Sequence, residues 1–532
     1  MGLVSILVDL VRSPGVNPVN MKARALPILN PFNVYGRVFF FSWFGFMMAF
    51  WAWFAFPPLL TTTIVKDLDL TAAQVANSNI ISICATMLVR FIAGPLCDQF
   101  GPRKVFAGCL LLGSIPIGLA PLVQNAGGLY TSRLFIGILG GSFVPCQVWT
   151  TGFFDKNIVG RANAIAGGWG NAGGGLTYFI MPAVYDSFVG YGYPADQAWR
   201  LTFILPLIML IVTGLGLLLL CPDTPTGRWS RRELHVQEEN IAALDDGVGA
   251  RGPIVAVPGP TTDRPSTCSM TTLETVNDRP DQSTRPTRDP SSSRRGEGAE
   301  ASETDLAAHQ DEIIINPSVA EILKVTLCPQ TCTLMLCYAC SFGAELSINA
   351  VLAAYYLASF PYLGQTRAAH WAAMFGFLNL AARPLGGIIA DALFNHPAPS
   401  GSPTRALWLK KAWLHLCGVL AGVLLIITGT ADVGSLPTFN GLVALAAVFL
   451  EAGNGANYAL VPHVHPYANG VVSGLTGGFG NLGGVVFAII FRFMDDGTGY
   501  AKAFWVIGCI HVGVNLLVAW IPPIPRGQAG GH

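Results

Sequence analysis

The chain has 532 residues, of which 52% are hydrophobic and only 12% are charged. A soluble globular protein carries roughly twice that charged fraction, so the composition indicates a membrane protein that crosses the bilayer several times. Basic and acidic residues are equal in number, at 31 each, and this balance gives no indication of a nucleic-acid partner. Most of the 12 cysteines fall inside apolar segments, which is not the pattern of a disulfide framework.

Twelve apolar segments follow one another along the chain, each long enough to cross a bilayer as a helix. Backbone in lipid must satisfy its own hydrogen bonds, so each segment is predicted to be helical. Six segments precede a long polar interval and six follow it. This layout predicts an all-α membrane protein with two pseudo-symmetric six-helix halves, residues 38–221 and 325–522. The segments are centred near Met48, Ala85, Leu112, Leu139, Gly173, Met209, Phe342, Leu380, Leu420, Ala447, Gly480 and Gly513.

The polar interval, residues 222–324, is rich in Ser, Thr, Pro, Asp and Arg and has almost no aromatic residue after Trp229. Such a segment cannot bury enough apolar surface to fold alone, so we expect a mostly disordered cytosolic linker. The three serines at 291–293 beside Arg294 are a candidate site for a regulatory kinase, although a plain flexible connector explains the interval as well. Residues 1–37 and 523–532 are expected to be cytosolic tails.

Basic residues in short loops set the orientation of membrane helices, because loops rich in Lys and Arg stay in the cytosol. The loops after the second, fourth and eighth segments are rich in them, whereas the opposite loops carry Lys66, Arg200 and Arg367 nearly alone. Both termini and the linker are therefore predicted to face the cytosol of a multi-pass plasma-membrane protein. The basic loop residues are Arg103, Lys104, Lys156, Arg161, Arg405, Lys410 and Lys411.

A glycine-rich stretch occurs twice, as GGWGNAGGG in the fifth segment and GGFGNLGG in the eleventh. One such helix alone is explained by close packing, since glycine lets backbones approach each other. Two copies imply an internal repeat, and transporter sites form where repeats meet. We expect these two helices to slide against the opposite half, so that substitution of their glycines by leucine abolishes transport. The repeated residues are Gly168, Gly170 and Asn171 in the first copy and Gly478, Gly480 and Asn481 in the second.

A charged loop follows the second segment. Its sequence GPLCDQFGPRK, which contains Asp98 and Arg103, resembles the Gly-x-x-x-Asp-x-x-Gly-x-Arg-Lys loop of the major facilitator superfamily. Together with the six-plus-six layout, this resemblance covers nearly the whole chain and implies the major facilitator fold. It also implies that Asp98 and Arg103 tie helix ends together at the cytosolic side, as gating and structural residues. The second half keeps Asp391 at the matching place but lacks the Gly-x-Arg-Lys that follows.

Arg90 and Arg383 lie eight residues before these two aspartates, well inside the second and eighth apolar segments. A guanidinium within the membrane is costly unless it faces a cavity or a partner, so each arginine is a functional candidate. Arg stays protonated and offers planar forked donors suited to oxyanions. Two such forks from opposite halves favour a site for a small anion. The alternative is that each arginine pairs with an acid such as Glu345 or Glu451.

The paired glycine motifs and the matched arginines resemble the signatures of the nitrate/nitrite porter family. The long polar linker resembles the fungal branch of that family, the high-affinity nitrate transporters. The resemblance implies nitrate, and nitrite as well, as the transported anion. Nitrate is planar, monovalent and weakly hydrated, which suits an arginine fork on each side between apolar or aromatic walls. Phosphate or sulfate would require more charge and more donors.

Further anion ligands follow from this resemblance. Asn171 and Asn481 match the signature asparagines and would donate amide hydrogens to the anion or hold the arginines. Tyr338 and Phe342 stand four residues apart, on one helix face, and resemble a Tyr-x-x-x-Phe pair whose hydroxyl and ring contact the anion. Phe143 resembles an opposing aromatic wall. Without the family pattern, each of these aromatic side chains is better explained by packing.

Import of an anion must be coupled to a driving force. A cell interior at negative potential opposes entry of a monovalent anion by about 2.3 kcal/mol per 100 mV, so uptake needs accompanying cations. The resemblance implies protons, and the arginines stay charged, so another group must carry them. Glu345 and Glu451 are the carboxylates inside apolar segments and are the candidates, although either is equally explained as a fixed partner of an arginine. Exchange of nitrate for nitrite needs no titrating group and is the rival mechanism.

Other classes of function fit the sequence less well. No phosphate-binding loop, nucleophile elbow or metal-ligand cluster occurs, so we expect no enzymatic activity, no cofactor and no metal. Cys337 and Cys340 have a zinc-like spacing but lie in an apolar run without a second ligand pair. A nitrate sensor signalling through the linker, and a carrier of organic acids or sugars, are the alternatives. The intact arginines, asparagines and glycines favour a transporter, with membrane lipid as its other partner.

Overall fold

The computed structural model describes residues 12–17, 20–60, 63–229, 318–395, 403–431, 435–497 and 499–525. Predictions about most of the linker, including the serines at 291–293, and about the ends of both tails lie outside these residues. Twelve long helices, numbered α1 to α12 in chain order, make up most of the part of the chain that is described.

Six of these helices belong to the first half. The fourth contains a 3-10 segment and the sixth has a break after Thr202, but each continues in one direction. Two short helices, Pro57–Leu60 and Thr63–Asp67, follow the first long helix. The long helices are α1 Val34–Trp53, α2 Ala72–Phe100, α3 Pro102–Leu119, α4 Ala126–Phe153, α5 Val159–Gly190 and α6 Ala195–Leu220.

The second half repeats the arrangement. A short helix, Val319–Thr326, precedes it; Ser318 and Glu321 form a capping box at its start, so the last residues of the predicted linker are helical. The long helices are α7 Pro329–Ser359, α8 Gly364–Leu378 with Ala382–Phe394, α9 Pro403–Thr430, α10 Leu436–Val464, α11 Asn469–Phe493 and α12 Tyr500–Val518.

Eleven of the twelve helices are long and apolar enough to cross a membrane. The helix outside that set is α5, although its 32 residues exceed the length needed. Its glycines and asparagines contribute little apolar side chain, so the most apolar stretch of α5 is less apolar than that of each of the other eleven helices. It packs against α1 of its own half and against α8 and α10 of the other. The predicted all-α membrane architecture, six helices before the linker and six after it, is confirmed.

Glycines bring the backbones of the two halves into direct contact. A side chain at Gly94 of α2 would meet the carbonyl oxygen of Gly470 of α11 at 2.5 Å. At the equivalent contact, a side chain at Gly387 of α8 would collide with the carbonyl oxygen of Gly160 of α5. Only glycine permits this approach, so the α2–α11 and α5–α8 contacts depend on it.

Two helices are interrupted where they pass the centre of the bundle. In α4 the 3-10 segment Gly137–Ser142 precedes Phe143. In α8 the helix breaks between Leu378 and Ala382, one residue before Arg383. Breaks of this kind in membrane helices leave backbone groups for other partners and mark the binding regions of transporters. Both interruptions flank the predicted anion site.

Candidate functional site

Arg90 is fully buried at the centre of the bundle, on α2. Its Nε donates to the carbonyl of Gly140 in the 3-10 segment of α4 at 2.9 Å. Its Nη1 donates to the carbonyl of Gly477 on α11 at 3.1 Å. The guanidinium is therefore held by one backbone carbonyl from each half.

Arg383 is fully buried at the matching place on α8. Its Nη2 donates to the hydroxyl of Tyr338 on α7 at 3.0 Å. Across the interface it lies against Gly167 of α5, where a side chain would meet its Nε at 2.9 Å. The glycine motifs of α5 and α11 thus each contact the arginine of the opposite half.

Phe143 lies beside both arginines. The guanidinium carbons of Arg90 and Arg383 are 4.8 and 5.3 Å from the centre of its ring. The Phe143 ring is nearly parallel to those of Tyr338 and Phe342, at interplanar angles of 9° and 7°. These five residues form what we call the arginine site. Its predicted members are brought together from α2, α4, α7 and α8.

The arginine site contains donors without acceptors. Nη2 of Arg90 and both Nε and Nη1 of Arg383 are buried and have no hydrogen-bond partner among the described residues. Neither arginine forms an ion pair with a described carboxylate, so the acid partners considered from the sequence are not direct ones. A buried guanidinium with unmet N–H groups has a strong need for an acceptor. An oxyanion between the two side chains would supply it.

Tyr458 of α10 belongs to the same cluster but was not predicted. Its ring packs edge-on against Phe143 and Tyr338, at centroid distances of 4.8 and 5.0 Å. Its hydroxyl donates to the carbonyl of Ser473 on α11 at 3.0 Å. The signal available in the sequence was the polar run NGANY, which includes Tyr458, inside an otherwise apolar segment.

The two signature asparagines occupy equivalent positions but have different partners. Asn481 donates to the carbonyl of Gly477 at 3.0 Å, the same oxygen that accepts from Arg90. Asn171 instead lies 3.4 Å from an oxygen of Glu345, to which its amide donates. Asn481 therefore adjoins the arginine site, whereas Asn171 belongs to a second group of residues.

That second group surrounds the two embedded carboxylates, Glu345 of α7 and Glu451 of α10, which are 3% and 0% exposed. The amide of Asn379, at the break in α8, donates to Glu345 at 2.7 Å and to Glu451 at 3.3 Å. The amide of Asn454 donates to the second oxygen of Glu345 at 2.6 Å. We call Glu345, Glu451, Asn171, Asn379 and Asn454 the amide cluster. Asn379 and Asn454 were missed; Asn379 is isolated in an apolar segment and carries no spacing signal, whereas Asn454 begins the same NGANY run that contains Tyr458.

The four predicted gating glycines divide into two kinds. Gly168 and Gly478 face the opposite half, where added side chains would meet the carbonyl oxygen of Asn379 and the ring of Phe91. Gly170 and Gly480 face α1 and α7 of their own halves. The sequence did not distinguish the two kinds because all four glycines occur in the same motif.

The predicted loop aspartates lie at the junction of the halves. Asp98 accepts hydrogen bonds from the backbone amides of Gly470 and Val471, both at 2.9 Å, at the start of α11. Asp391 accepts from the backbone amides of Gly160 and Arg161, at 3.2 and 2.6 Å, at the start of α5. A carboxylate at a helix N-terminus satisfies free N–H groups and favours the helix dipole. We call this end of the bundle the Asp98 end.

Basic residues secure other helix ends at the Asp98 end. Arg103 forms an ion pair with Asp223 at 2.5 Å and donates to the carbonyl of Leu218 at 3.2 Å, which ties the start of α3 to the end of α6. In the second half, Lys411 of α9 donates to the carbonyl of Val518 at 3.0 Å, at the end of α12. The second copy of the charged loop lacks an arginine equivalent to Arg103. Lys411 makes the equivalent contact in the second half.

A cavity lies on the side of the amide cluster that faces away from the Asp98 end. It is bordered by α1, α5, α7 and α8, and its lining includes Asn171, Tyr178, Glu345, Asn349 and Asn379. Glu451 does not line it. The amide cluster is therefore reached from the end of the bundle where the halves are not joined by the two aspartates.

Comparison with known proteins agrees with this architecture. Residues 42–488 match the family model described as Major Facilitator Superfamily. The chain is similar to elsinochrome transporter 1 of Elsinoe fawcettii, at 36% identity over 96% of this chain and 98% of that one. It is 28% identical to high-affinity nitrate transporter 2.3 of Oryza sativa subsp. japonica over 91% of this chain and 76% of that one. Identity to the nitrate/nitrite transporter NrtP of Nostoc punctiforme is also 28%, over 87% and 88% of the two chains.

Solved structures give the same fold at low sequence identity. The proton:xylose symporter XylE matches with a TM-score of 0.59 and 13% identity, covering 90% of this chain and 94% of that one. The fucose:proton symporter FucP of E. coli matches with a TM-score of 0.53 and 12% identity, covering 90% and 97%. The chain therefore belongs to the Major Facilitator Superfamily of membrane transporters.

Proposed function

We propose that this protein is a secondary transporter that imports nitrate, and nitrite as well, across the plasma membrane together with protons. The observation that carries the proposal is the pair of buried guanidinium groups, one from each half, with unmet N–H donors beside a shared aromatic ring. The similarity to proteins named as nitrate and nitrite transporters over most of the chain supports the choice of anion.

The arginine site suits a flat monovalent anion. The stacked rings of Phe143, Tyr338 and Phe342 form apolar walls. The two guanidinium groups are the charged donors of the site. Nitrate offers three equivalent in-plane oxygens, so each fork can meet two of them, and it carries the single charge that a largely apolar pocket tolerates. In this role Arg90 and Arg383 bind the anion, and the Tyr338 hydroxyl orients Arg383.

Asn481 and Asn171 act on the anion site indirectly, through the residues to which they donate hydrogen bonds. Asn481 shares the Gly477 carbonyl with Arg90 and so positions the backbone acceptor of that guanidinium. Asn171 donates to Glu345 and so positions one of the embedded carboxylates. Both are within the motifs by which the chain resembles nitrate porters.

The Asp98 end is proposed to face the cytosol, with both chain termini and the linker. Most of the basic residues assigned to loops from the sequence lie there, near the starts of α3, α5 and α9 rather than in loops, and basic residues at such ends stay on the cytosolic side. Asp98 and Asp391 join the halves there, whereas the cavity next to the amide cluster opens away from it. Nitrate would enter from outside, and rocking of the halves along the Gly168 and Gly478 contacts would then open the Asp98 end.

Proton coupling supplies the driving force. Entry of a monovalent anion against an inside-negative potential costs about 2.3 kcal/mol per 100 mV, and more than one accompanying proton reverses the sign of the net charge moved. Glu345 and Glu451 are the buried carboxylates next to the arginine site. A nitrate/nitrite exchanger would use the same arginines but would need neither carboxylate to titrate.

A second candidate substrate follows from the fungal relative named as an elsinochrome transporter, which is more similar to this chain than the nitrate transporters reported above. The compact arrangement of three buried aromatic side chains around two buried guanidinium groups favours a small anion instead. The two candidates predict different ligands for the same site.

The test is uptake of isotope-labelled nitrate into proteoliposomes that contain the purified protein, with an inward proton gradient. We expect uptake above that of empty liposomes, competition by nitrite and little competition by sulfate. Uptake that ignores the proton gradient but needs internal nitrite would identify an exchanger. Absence of uptake, combined with transport of elsinochrome, would transfer the function to the second candidate.

A further inference from the structure

The amide cluster gives its two carboxylates unequal surroundings. Glu451 accepts one hydrogen bond, from the Asn379 amide at 3.3 Å, and its Oε2 is buried without a partner among the described residues. Glu345 accepts from three amides, those of Asn379 at 2.7 Å, Asn454 at 2.6 Å and Asn171 at 3.4 Å. The carboxylates share one donor group but differ in every other contact.

This difference decides which carboxyl group ionises first. Hydrogen bonds donated to a carboxylate stabilise its charged form, whereas burial without donors stabilises the neutral acid. Asn379 has two amide hydrogens and uses one for each carboxylate, which places the two carboxylates close together. Two neighbouring buried carboxylates do not both ionise readily, and they titrate as a pair.

We propose that Glu451 binds one of the transported protons, while Glu345 stays ionised and Asn379 positions the two carboxylates. The inference rests on the proposed function, because it names the group that holds the proton during nitrate symport. Asn379 acts through the glutamates and does not itself touch the anion.

The charges at the centre of the bundle couple proton binding to nitrate binding. With Glu451 protonated, two guanidinium charges face one carboxylate, so the centre has one net positive charge that a nitrate ion neutralises. With Glu451 ionised, the same groups are already balanced, and a bound nitrate would leave an uncompensated buried negative charge. Proton binding therefore raises nitrate affinity, and by linkage nitrate raises proton affinity to the same extent.

The groups that face Glu451 are few. The charged ones are Glu345 from α7 and Arg383 from α8. Glu345 accepts hydrogen bonds from three amides and Glu451 from only one, so Glu451 is the carboxylate to which we assign the proton.

Access to Glu451 leads past Asn379. Asn379 and Glu345 line the cavity that faces away from the Asp98 end, and Glu451 lies behind them. The Asn379 amide, which lines this cavity and donates to Glu451, lies between the two. The site is thus placed between the outer cavity and the closed Asp98 end.

The experiment compares three proteins in proteoliposomes: the unchanged protein, Glu451→Gln, and the matched control Glu345→Gln. Two quantities are measured with labelled nitrate, the affinity at acid and at alkaline pH and the accumulation driven by a proton gradient. Nitrate-for-nitrate exchange is recorded for each variant, because it reports folding and anion binding without proton movement.

For the unchanged protein we expect nitrate affinity to fall at least about tenfold from acid to alkaline pH, a typical coupling between two sites. Glu451→Gln imitates the protonated acid, so it should keep nitrate exchange and lose proton-driven accumulation. Its nitrate affinity should change by less than about twofold from acid to alkaline pH. Glu345→Gln should still show the pH-dependent affinity. If Glu451→Gln is not produced, Glu451→Asp serves instead and should retain coupling with a displaced pH profile.

The contrary results are distinct. Proton-driven accumulation that survives in Glu451→Gln, or pH dependence abolished by Glu345→Gln alone, overturns the assignment of the proton to Glu451 and leaves nitrate transport standing. Absence of nitrate exchange in the unchanged protein overturns the proposed function and this inference with it.

Discussion

The guanidinium groups of Arg90 and Arg383 lie against one ring, that of Phe143, at 4.8 and 5.3 Å from its centre. The arginines come from equivalent helices of the two halves, so the contact joins the repeats at the middle of the membrane. Each is fully buried and each retains N–H groups without an acceptor among the described residues. A small oxyanion placed between the two guanidinium groups would accept hydrogen bonds from these N–H groups of both.

Arg383→Lys, and Arg90→Lys in the same way, should weaken nitrate binding. Lysine keeps the charge but has no planar fork, and hydrogen bonds to charged groups contribute about 1.5–3 kcal/mol each, so we expect an affinity loss of about 10- to 100-fold. Equilibrium binding of labelled nitrate to the purified protein measures it. Arg492→Lys, at the exposed end of α11, is the control. Unchanged affinity in Arg383→Lys would favour a different substrate.

Tyr338→Phe should give a smaller loss. It removes the hydroxyl that accepts from Arg383 at 3.0 Å but keeps the stacked ring. A hydrogen bond from a charged donor that loses its acceptor costs about 1–2 kcal/mol, which is about 5- to 30-fold in nitrate affinity. The same binding assay measures it, with Tyr355→Phe as control because Tyr355 packs against Phe439 away from the site. A loss equal to that of Arg383→Lys would mean that the ring had moved.

Gly478→Ala should stop transport while the protein still reaches the membrane. The added methyl group would collide with the ring of Phe91 on α2, at a surface along which the two halves must move. Overpacking costs about 1–3 kcal/mol, and we expect the uptake rate to fall at least about tenfold. Gly441→Ala is the control, since nothing lies within 4 Å of that position. Normal uptake by Gly478→Ala, measured at equal surface expression, would show that this contact does not move.

Asp98→Ala should loosen the junction at the Asp98 end. The change leaves the amides of Gly470 and Val471 without their carboxylate acceptor, at a cost of about 1–3 kcal/mol for each buried group, so their hydrogen exchange should rise at least about tenfold. Exchange measured by mass spectrometry over residues 469–473 tests this. Asp495→Ala, which breaks an exposed pair with Lys502, should leave that segment unchanged. Equal protection in both variants would contradict a joining role for Asp98.

Much of the fold was accessible from the sequence because lipid imposes simple rules. Apolar length predicts the helices and their number, and the repeated glycine motifs predict which helices meet at the centre. Arg90 and Arg383 stood out because a charge in an apolar segment needs an explanation. The partners of these arginines are backbone carbonyls, Gly140 and Gly477, and backbone atoms leave no trace in residue identity.

Glu345, Glu451 and Asn171 were candidates from the sequence, but the hydrogen bonds that join them to Asn379 and Asn454 could not be predicted. Asn379 lies at a break in α8; Pro384 indicates a break near this place, but the sequence does not show which side chain the break brings to the carboxylates. Its contacts with Glu345 and Glu451 join residues 34 and 72 positions away along the chain. The different contacts of Asn171 and Asn481 could not be predicted either, because the two motifs are alike. The roles of the two asparagines differ because Glu345 lies near only one of them.

Nitrate entry with protons through the arginine site is tested by a current measurement. Cells expressing the protein are voltage-clamped, and nitrate is added at acid and at neutral external pH. We expect an inward positive current on addition of nitrate, larger at acid pH, because more than one proton accompanies each anion. Absence of both current and nitrate uptake, with the protein present at the cell surface, would contradict it.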